Sequence, residues 1–304
     1  MLTAERVART SGRPPGEGLS ANAIALPLQC ELVRAEFATS SSSKAAPMSA
    51  IVHTLSSTDA DQAEWRLRCD MAAVFRIAAR LGWNEQIGNH NSLVLPQARP
   101  DDAPRFLINP RGHLFQELTA SSLIVCDLDG RVLRGTGELR KVAFYIHARI
   151  HLQKPEATCI LHVHPRWLTA LSLLETPRLA LAHHNNLLLN DRVAVDDGGL
   201  APADSNAEGD RLAAAMGDAS ILVMGGHGVT VAGPSVHDAF DELFIAERTV
   251  MYQLTAMSTG LPLRQLPEGA RRHWHGAWGE KIDARLHLDA WRRVLDREEP
   301  DYAS

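Results

Sequence analysis

Cys159-Ile160-Leu161-His162-Val163-His164 is a short apolar run with two histidines at alternate positions. Side chains alternate across a strand, so His162 and His164 project from the same face. Two imidazoles side by side can share one metal ion, although the pair alone also reads as two hydrogen-bonded histidines. A second apolar run, Ile221-Leu222-Val223-Met224, leads into Gly225-Gly226-His227-Gly228. Its glycines permit a tight turn and a close approach of backbone to a ligand, which makes His227 the natural third ligand. Three neutral imidazoles leave coordination positions open, as in catalytic zinc sites, whereas structural sites are closed by four protein ligands.

Upstream, Gly135-Thr136-Gly137-Glu138 precedes a helical pattern expected from Leu139 to Leu152. A Glu in a first helical turn is favoured by the helix dipole whatever its function, so capping is one reading of Glu138. Gly88-Asn89 lies in a polar loop, Gln86 to Ser92, between a helix expected over Asp61–Trp83 and a strand at Leu93-Val94-Leu95. Such a loop offers backbone N–H groups and amide donors to an anion, and by composition alone it is a turn. Asn109-Pro110-Arg111-Gly112 is a second turn. The planar guanidinium of Arg111 matches a carboxylate or phosphate, or is simply an exposed turn arginine.

With these motifs, in this order and at this spacing, the stretch from Asp61 to Leu261 resembles the class II aldolase/adducin family, and in particular its L-fuculose-phosphate aldolase-like metal-dependent lyases. The resemblance implies that His162, His164 and His227 hold a divalent metal, zinc first, with manganese, iron or cobalt as alternatives. It implies Glu138 as the acid/base, and Asn89, Arg111, Gly112 and Thr136 as substrate contacts. Where the sugar-phosphate aldolases place two serines before the Glu, this chain has Thr136 and Gly137. That departure makes a carboxylate substrate as plausible as a sugar phosphate. The cluster His183-His184-Asn185-Asn186 falls near the place where the family carries a polar group facing the site; His183 is either a proton donor or an exposed loop histidine.

Strands interleaved with helices argue for an α/β domain. The resemblance specifies three layers, with a central, mostly antiparallel sheet flanked by helices, assembled as a homotetramer with sites at subunit boundaries. A chain of 304 residues, 45% hydrophobic and 22% charged, suits one catalytic domain with appendages. The expected division is a flexible extension over 1–50, rich in Ser, Ala, Pro and Gly, a catalytic domain over 51–262, and a C-terminal helical extension over 263–304 that packs on the domain or on a neighbouring subunit. Met48, where the composition changes, is a candidate start besides Met1. No apolar run is long enough to span a bilayer, and a formal charge of -5 argues against a nucleic-acid surface. Cys30, Cys69, Cys126 and Cys159 are too scattered for a disulfide framework or a zinc knuckle, so a reducing cytoplasm is expected. His273 and His275 form a second H-x-H pattern, but in a charged, helical setting that turns the two rings to different faces.

The expected function is a divalent-metal-dependent lyase, of aldolase or decarboxylase type, acting next to a carbonyl through a metal-stabilised enolate on a small carbonyl/carboxylate or sugar-phosphate substrate. Two rivals stand beside it. Three histidines also hold ferrous iron, and non-haem iron oxygenases resemble members of this fold. The non-catalytic head domain of adducin resembles it too, but lacks the metal histidines.

Overall fold

The computed structural model describes residues 57–97, 102–189, 191–198, 201–267, 269 and 283–304, all within the unit Val52–Ser304. The 1–50 extension, Met48, Cys30 and the His273/His275 pair lie outside the described residues.

Eight strands form one sheet: β1 His90–Val94, β2 Arg105–Ile108, β3 Ile124–Asp127, β4 Val132–Arg134, β5 Cys159–Val163, β6 Val193–Asp196, β7 Ile221–Met224 and β8 Gly228–Gly233. Their spatial order is β4-β3-β2-β1-β5-β8-β7-β6. Every neighbouring pair is antiparallel except β6 and β7. The central strand β5 is buried along its whole length, His162 included, as suits an otherwise apolar strand covered on both faces.

The helices are α1 Ser57–Arg80, α2 Lys141–Gln153, α3 Arg166–Ser172, α4 Asn185–Leu188, α5 Asn206–Met216, α6 Val236–Met257 and α7 Ala284–Glu298. Strand alternation divides them into two layers. Leu93, Leu107, Leu161, Val163, Val223 and Val231 pack with α1, α3, α6 and α7 in the larger core, around Phe75 and Phe240. Ile160, Leu222 and Ala232 face the other way, against Ile146 and Ile150 of α2 and Leu212 and Met216 of α5. The expected three-layer α/β architecture with a mostly antiparallel sheet is therefore what the chain forms.

The C-terminal elements lie on α1. Arg292 reaches Asp70 at 2.5 Å, Arg76 reaches Glu299 at 3.1 Å and Asp301 at 2.6 Å, and Tyr302 is buried in the larger core.

Four details differ from what the sequence leads one to expect. The polar loop expected over Gln86–Ser92 stops earlier, because His90, Asn91 and Ser92 belong to β1. Helix α2 begins at Lys141, so Glu138 lies in the loop before it. The Glu138 carbonyl accepts the Arg111 N–H at 2.8 Å, and Gly137 has φ +136°, outside helical space. Trp65 falls among the apolar residues at helical spacing in the expected Asp61–Trp83 helix, a position that points to the core, yet it is 42% exposed near the start of α1. Strands β6 and β8 carry no clear signal. In β8 (Gly-Val-Thr-Val-Ala-Gly) the terminal Gly233 is needed for contact, because a Cβ there would lie 2.8 Å from the Ala239 nitrogen.

Candidate metal centre

His162 is carried by β5, His164 follows that strand directly, and His227 sits in the β7–β8 turn. The turn closes through a hydrogen bond from the His227 N–H to the Met224 carbonyl at 3.0 Å, with Gly226 at φ +66°. Gly228 has a separate reason to be glycine: a Cβ there would lie 2.5 Å from Cδ2 of His164. The ring centroids are 5.3 Å apart for His162 and His164, 5.0 Å for His162 and His227, and 4.8 Å for His164 and His227. One ligand nitrogen from each lies within 4.8 Å of the others, and among the described residues this is the one His/Cys/Asp/Glu group so arranged.

Hydrogen bonds at the back of the rings assign their tautomers. The Nδ1–H of His164 donates to the Glu85 carboxylate at 3.0 Å, leaving Nε2 as a lone pair. That Nε2 is buried and has no hydrogen-bond partner among the described residues. The Nδ1–H of His162 donates to Oγ1 of Thr230 at 3.0 Å, and the Thr230 hydroxyl donates to the Met224 sulfur at 3.4 Å. Burial, and then the neighbouring imidazoles, hold His162 and His227 below the ordinary histidine range and so keep them neutral. Neutral imidazoles with bare nitrogens, oriented by a carboxylate and a hydroxyl, fit a divalent cation, and an orphaned buried nitrogen has a reason to exist there.

Behind the centre lies a second, fully buried group that sequence reasoning missed. His90 of β1 pairs across the sheet with His162 and stacks on it, with centroids 4.7 Å apart and planes at 24°. His90, His147, Ser92 and His151 are joined in a row by hydrogen bonds of 2.7, 2.5 and 2.8 Å, and His151 Nδ1 lies 3.0 Å from the Ala157 carbonyl. Burial pushes His151 down to about 4 and lowers His147 and His90 strongly. Spacing did hold a signal: His147 and His151 stand four apart on α2, and His90 and Ser92 two apart on β1.

The residues expected at the substrate sit on connected loops. Asn89 accepts the Glu85 N–H at 2.6 Å, so the loop that presents Asn89 also carries the carboxylate behind His164. Nδ2 of Asn89 is buried without a partner among the described residues. The Arg111 guanidinium lies 3.5 Å from the Glu138 carboxylate, and both side chains are largely exposed, at 65% and 80%. Together with Gly88, Gly137, Arg140 and Lys141 they line an open cleft of about 940 Å³. Gly112 turns its loop at φ +88°, and Thr136 is exposed. His227 lines a different cleft, of about 240 Å³, with Ile146, Asp196 and Arg211. The chain thus brings the three histidines together, and Arg111 to Glu138, with Arg111 and Glu138 in a cleft that does not include His227; Gln86, Ile87 and Gly88 line that cleft, and the adjacent Glu85 is bonded to His164. His183 packs on His184 and on Tyr252 of α6, with centroids 4.1 and 5.0 Å away.

Residues 69–254 match the family described as Class II Aldolase and Adducin N-terminal domain. A Pseudomonas aeruginosa protein assigned to aldolase class 2 is 32% identical over 247 residues, covering 79% of this chain and 93% of that protein. Human beta-adducin is 29% identical over 265 residues, covering 81% of this chain but 35% of the adducin. The crystal structure of an aldolase II superfamily protein from Pseudomonas syringae superposes with a TM-score of 0.72 at 31% identity, covering 79% of this chain and 96% of that one. An L-fuculose 1-phosphate aldolase from Glaciozyma antarctica shares the fold at a TM-score of 0.69 and 21% identity, covering 82% and 96%. Among the described residues no helix is long and apolar enough to cross a membrane. With its family match spanning well over half its length and its metal-type histidines in one cluster, the chain belongs to the class II aldolase and adducin family.

Proposed function

We propose that this protein is a divalent-metal-dependent lyase that makes or breaks a carbon–carbon bond next to a carbonyl, with zinc as the first candidate ion, working as a cytoplasmic homotetramer. The observation that carries this reading is the converging trio His162, His164 and His227, with the buried His164 Nε2 left without a partner among the described residues. When bound, the ion supplies Lewis acidity at a substrate carbonyl oxygen. The chain's own groups would do the rest. Arg111 would bind an anionic end of the substrate, and Glu138, 3.5 Å from that guanidinium, would take or return a proton on the adjoining carbon or hydroxyl. An exposed ion pair is weak, so a substrate carboxylate displaces Glu138 from Arg111 at little cost.

A carboxylate fits this loop better than a phosphate. The serine of the sugar-phosphate pattern is replaced by Gly137, where a Cβ would lie 2.7 Å from Pro110 and φ is +136°. A guanidinium fork suits a planar carboxylate, and losing such a charge-assisted contact costs about 1.5–3 kcal/mol, roughly a ten- to hundredfold loss of binding. Arg111→Ala is therefore expected to weaken substrate binding by about that factor without loss of metal, and Arg111→Lys to recover only part of it. The test compares carboxylated and phosphorylated carbonyl compounds on wild type and both variants, after metal analysis of protein purified without chelator. A preference for sugar phosphates that ignores Arg111 would return the chain to sugar-phosphate chemistry. The relationship to beta-adducin supports a second reading, a non-catalytic interaction module. A chain that retains no divalent ion and turns over no carbonyl compound would favour it.

A further inference from the structure

The row behind His162 can be read proton by proton. A carbonyl only accepts, so Ala157 takes a hydrogen bond from Nδ1–H of His151 at 3.0 Å. Neutral His151 then has a bare Nε2, which accepts the Ser92 hydroxyl at 2.8 Å. With its one proton committed, Ser92 accepts from Nδ1–H of His147 at 2.5 Å. The bare Nε2 of His147 accepts Nδ1–H of His90 at 2.7 Å. Starting from the Ala157 carbonyl and with neutral rings, the row runs in one direction, and His90 emerges as the Nδ1–H tautomer.

The row ends at that carbonyl, which has no proton to give and passes none on. His151, His147 and Ser92 are all buried, so the row does not open to solvent either. This geometry does not suit proton export. It suits orientation, because the last ring, His90, lies flat against His162 at 4.7 Å while Thr230 holds the Nδ1 edge of His162.

We propose that Ser92, His147 and His151 are positioning residues of the metal centre: anchored on the Ala157 carbonyl, they lock His90 in one tautomer and one orientation against the face of His162, and so keep the Nε2 lone pair of His162 available to a divalent cation. This rests on the metal reading above and extends it to residues three hydrogen bonds away. Partners of this kind behind a metal ligand typically change metal affinity by about 10- to 100-fold.

The test has two arms on the full chain. In metal-free wild type, ¹⁵N NMR of the histidine ring nitrogens should show a protonated Nδ1 and a bare Nε2 on His90, His147 and His151. Titration with Co²⁺, followed by its visible absorption, should then show binding weakened about tenfold or more and an altered absorption band in Ser92→Ala, with unchanged circular dichroism. Ser92→Thr, which keeps the hydroxyl, should return affinity and band toward wild type; if the added methyl prevents folding, the wild-type ring nitrogens and Ser92→Ala decide. A bare Nδ1 on His90, or Ser92→Ala binding Co²⁺ within twofold of wild type, overturns the inference. If wild type binds no Co²⁺, the metal reading itself falls and takes this inference with it; if wild type and Ser92→Ala bind equally, only the positioning role is lost.

Discussion

On the α1–α6 face of the sheet, Leu93, Leu161, Val163 and Val231 meet Phe75, Phe240 and Leu243. On the α2 face, neighbouring positions of the same strands are Ser92, His162 and Thr230: Ser92 is bonded to His147 and His151, and His162 to Thr230. Both layers exclude water, but by different means. The first is held by apolar area, which is non-directional and roughly additive. The second has its own, smaller apolar cluster around Ile146, Ile150, Ile160 and Leu222, but beside His162 it is ordered by hydrogen bonds, each of which fixes a ring orientation and leaves a costly orphan if broken. Stability is therefore expected to reside mainly in the α1–α6 face, and ligand geometry in the α2 face.

The sharpest break in that comparison is His162→Ala. A three-ligand centre has no spare ligand, so the metal should be lost while the α1–α6 core keeps the chain folded; elemental analysis beside circular dichroism checks both halves. Stoichiometric metal in a triple variant at His162, His164 and His227 would move the centre elsewhere.

Next is Glu138→Gln, in an exposed loop that belongs to neither buried layer. Fold and metal content should be unchanged, with turnover slowed by about 100- to 10,000-fold, the scale of a lost general acid/base. Steady-state rates on the true substrate measure it, and unchanged turnover would leave Glu138 a loop residue.

Phe240→Ala tests the apolar side. Phe240 is fully buried beside Trp83, with centroids 6.0 Å apart, and its truncation should cost about 3–5 kcal/mol of stability. Urea denaturation gives the loss, and the folded fraction should still bind metal. A variant that stays stable but loses metal would reverse the assignment of roles to the two faces.

The smallest effect expected is a pH dependence specific to the α2 face. Burial holds folded His151 near 4, against about 6.5 in the unfolded chain. As pH falls below about 6.5 the unfolded state takes up a proton that the folded state refuses, so stability declines until about pH 4, by about 3 kcal/mol at 1.36 kcal/mol per pH unit. Urea midpoints of metal-free protein at pH 7 and pH 4.5 should diverge more for wild type than for His151→Gln, which does not titrate. Equal divergence would mean that the loss comes from elsewhere.

Much of the centre was legible in the chain itself, because its signals are local. The alternation of His162 and His164 along one strand, and the glycines around His227, follow from backbone geometry over a few residues. The apolar run Ile221–Met224 is likewise strand β7, and the N-termini of α5 and α6 carry local caps, the side chains of Ser205 and Ser235 accepting the N–H groups of Glu208 and Asp238. The loop before α2 has the sequence of a first helical turn, and its departure from helix goes with a distant partner, the Arg111 N–H bonded to the Glu138 carbonyl.

By itself, then, the sequence determined the family, the α/β class and the three metal-type histidines, since each is written in short-range spacing. Tertiary structure alone decided that Glu85 stands behind His164, that Thr230 stands behind His162, and that Glu138 and Arg111 face each other in a cleft apart from His227. It also decided that four polar side chains from β1 and α2 form one row ending on Ala157. The physical reason is range: a strand or turn preference acts between neighbours in the chain, whereas a tautomer is set by whichever donor or acceptor the folded sheet brings within about 3 Å.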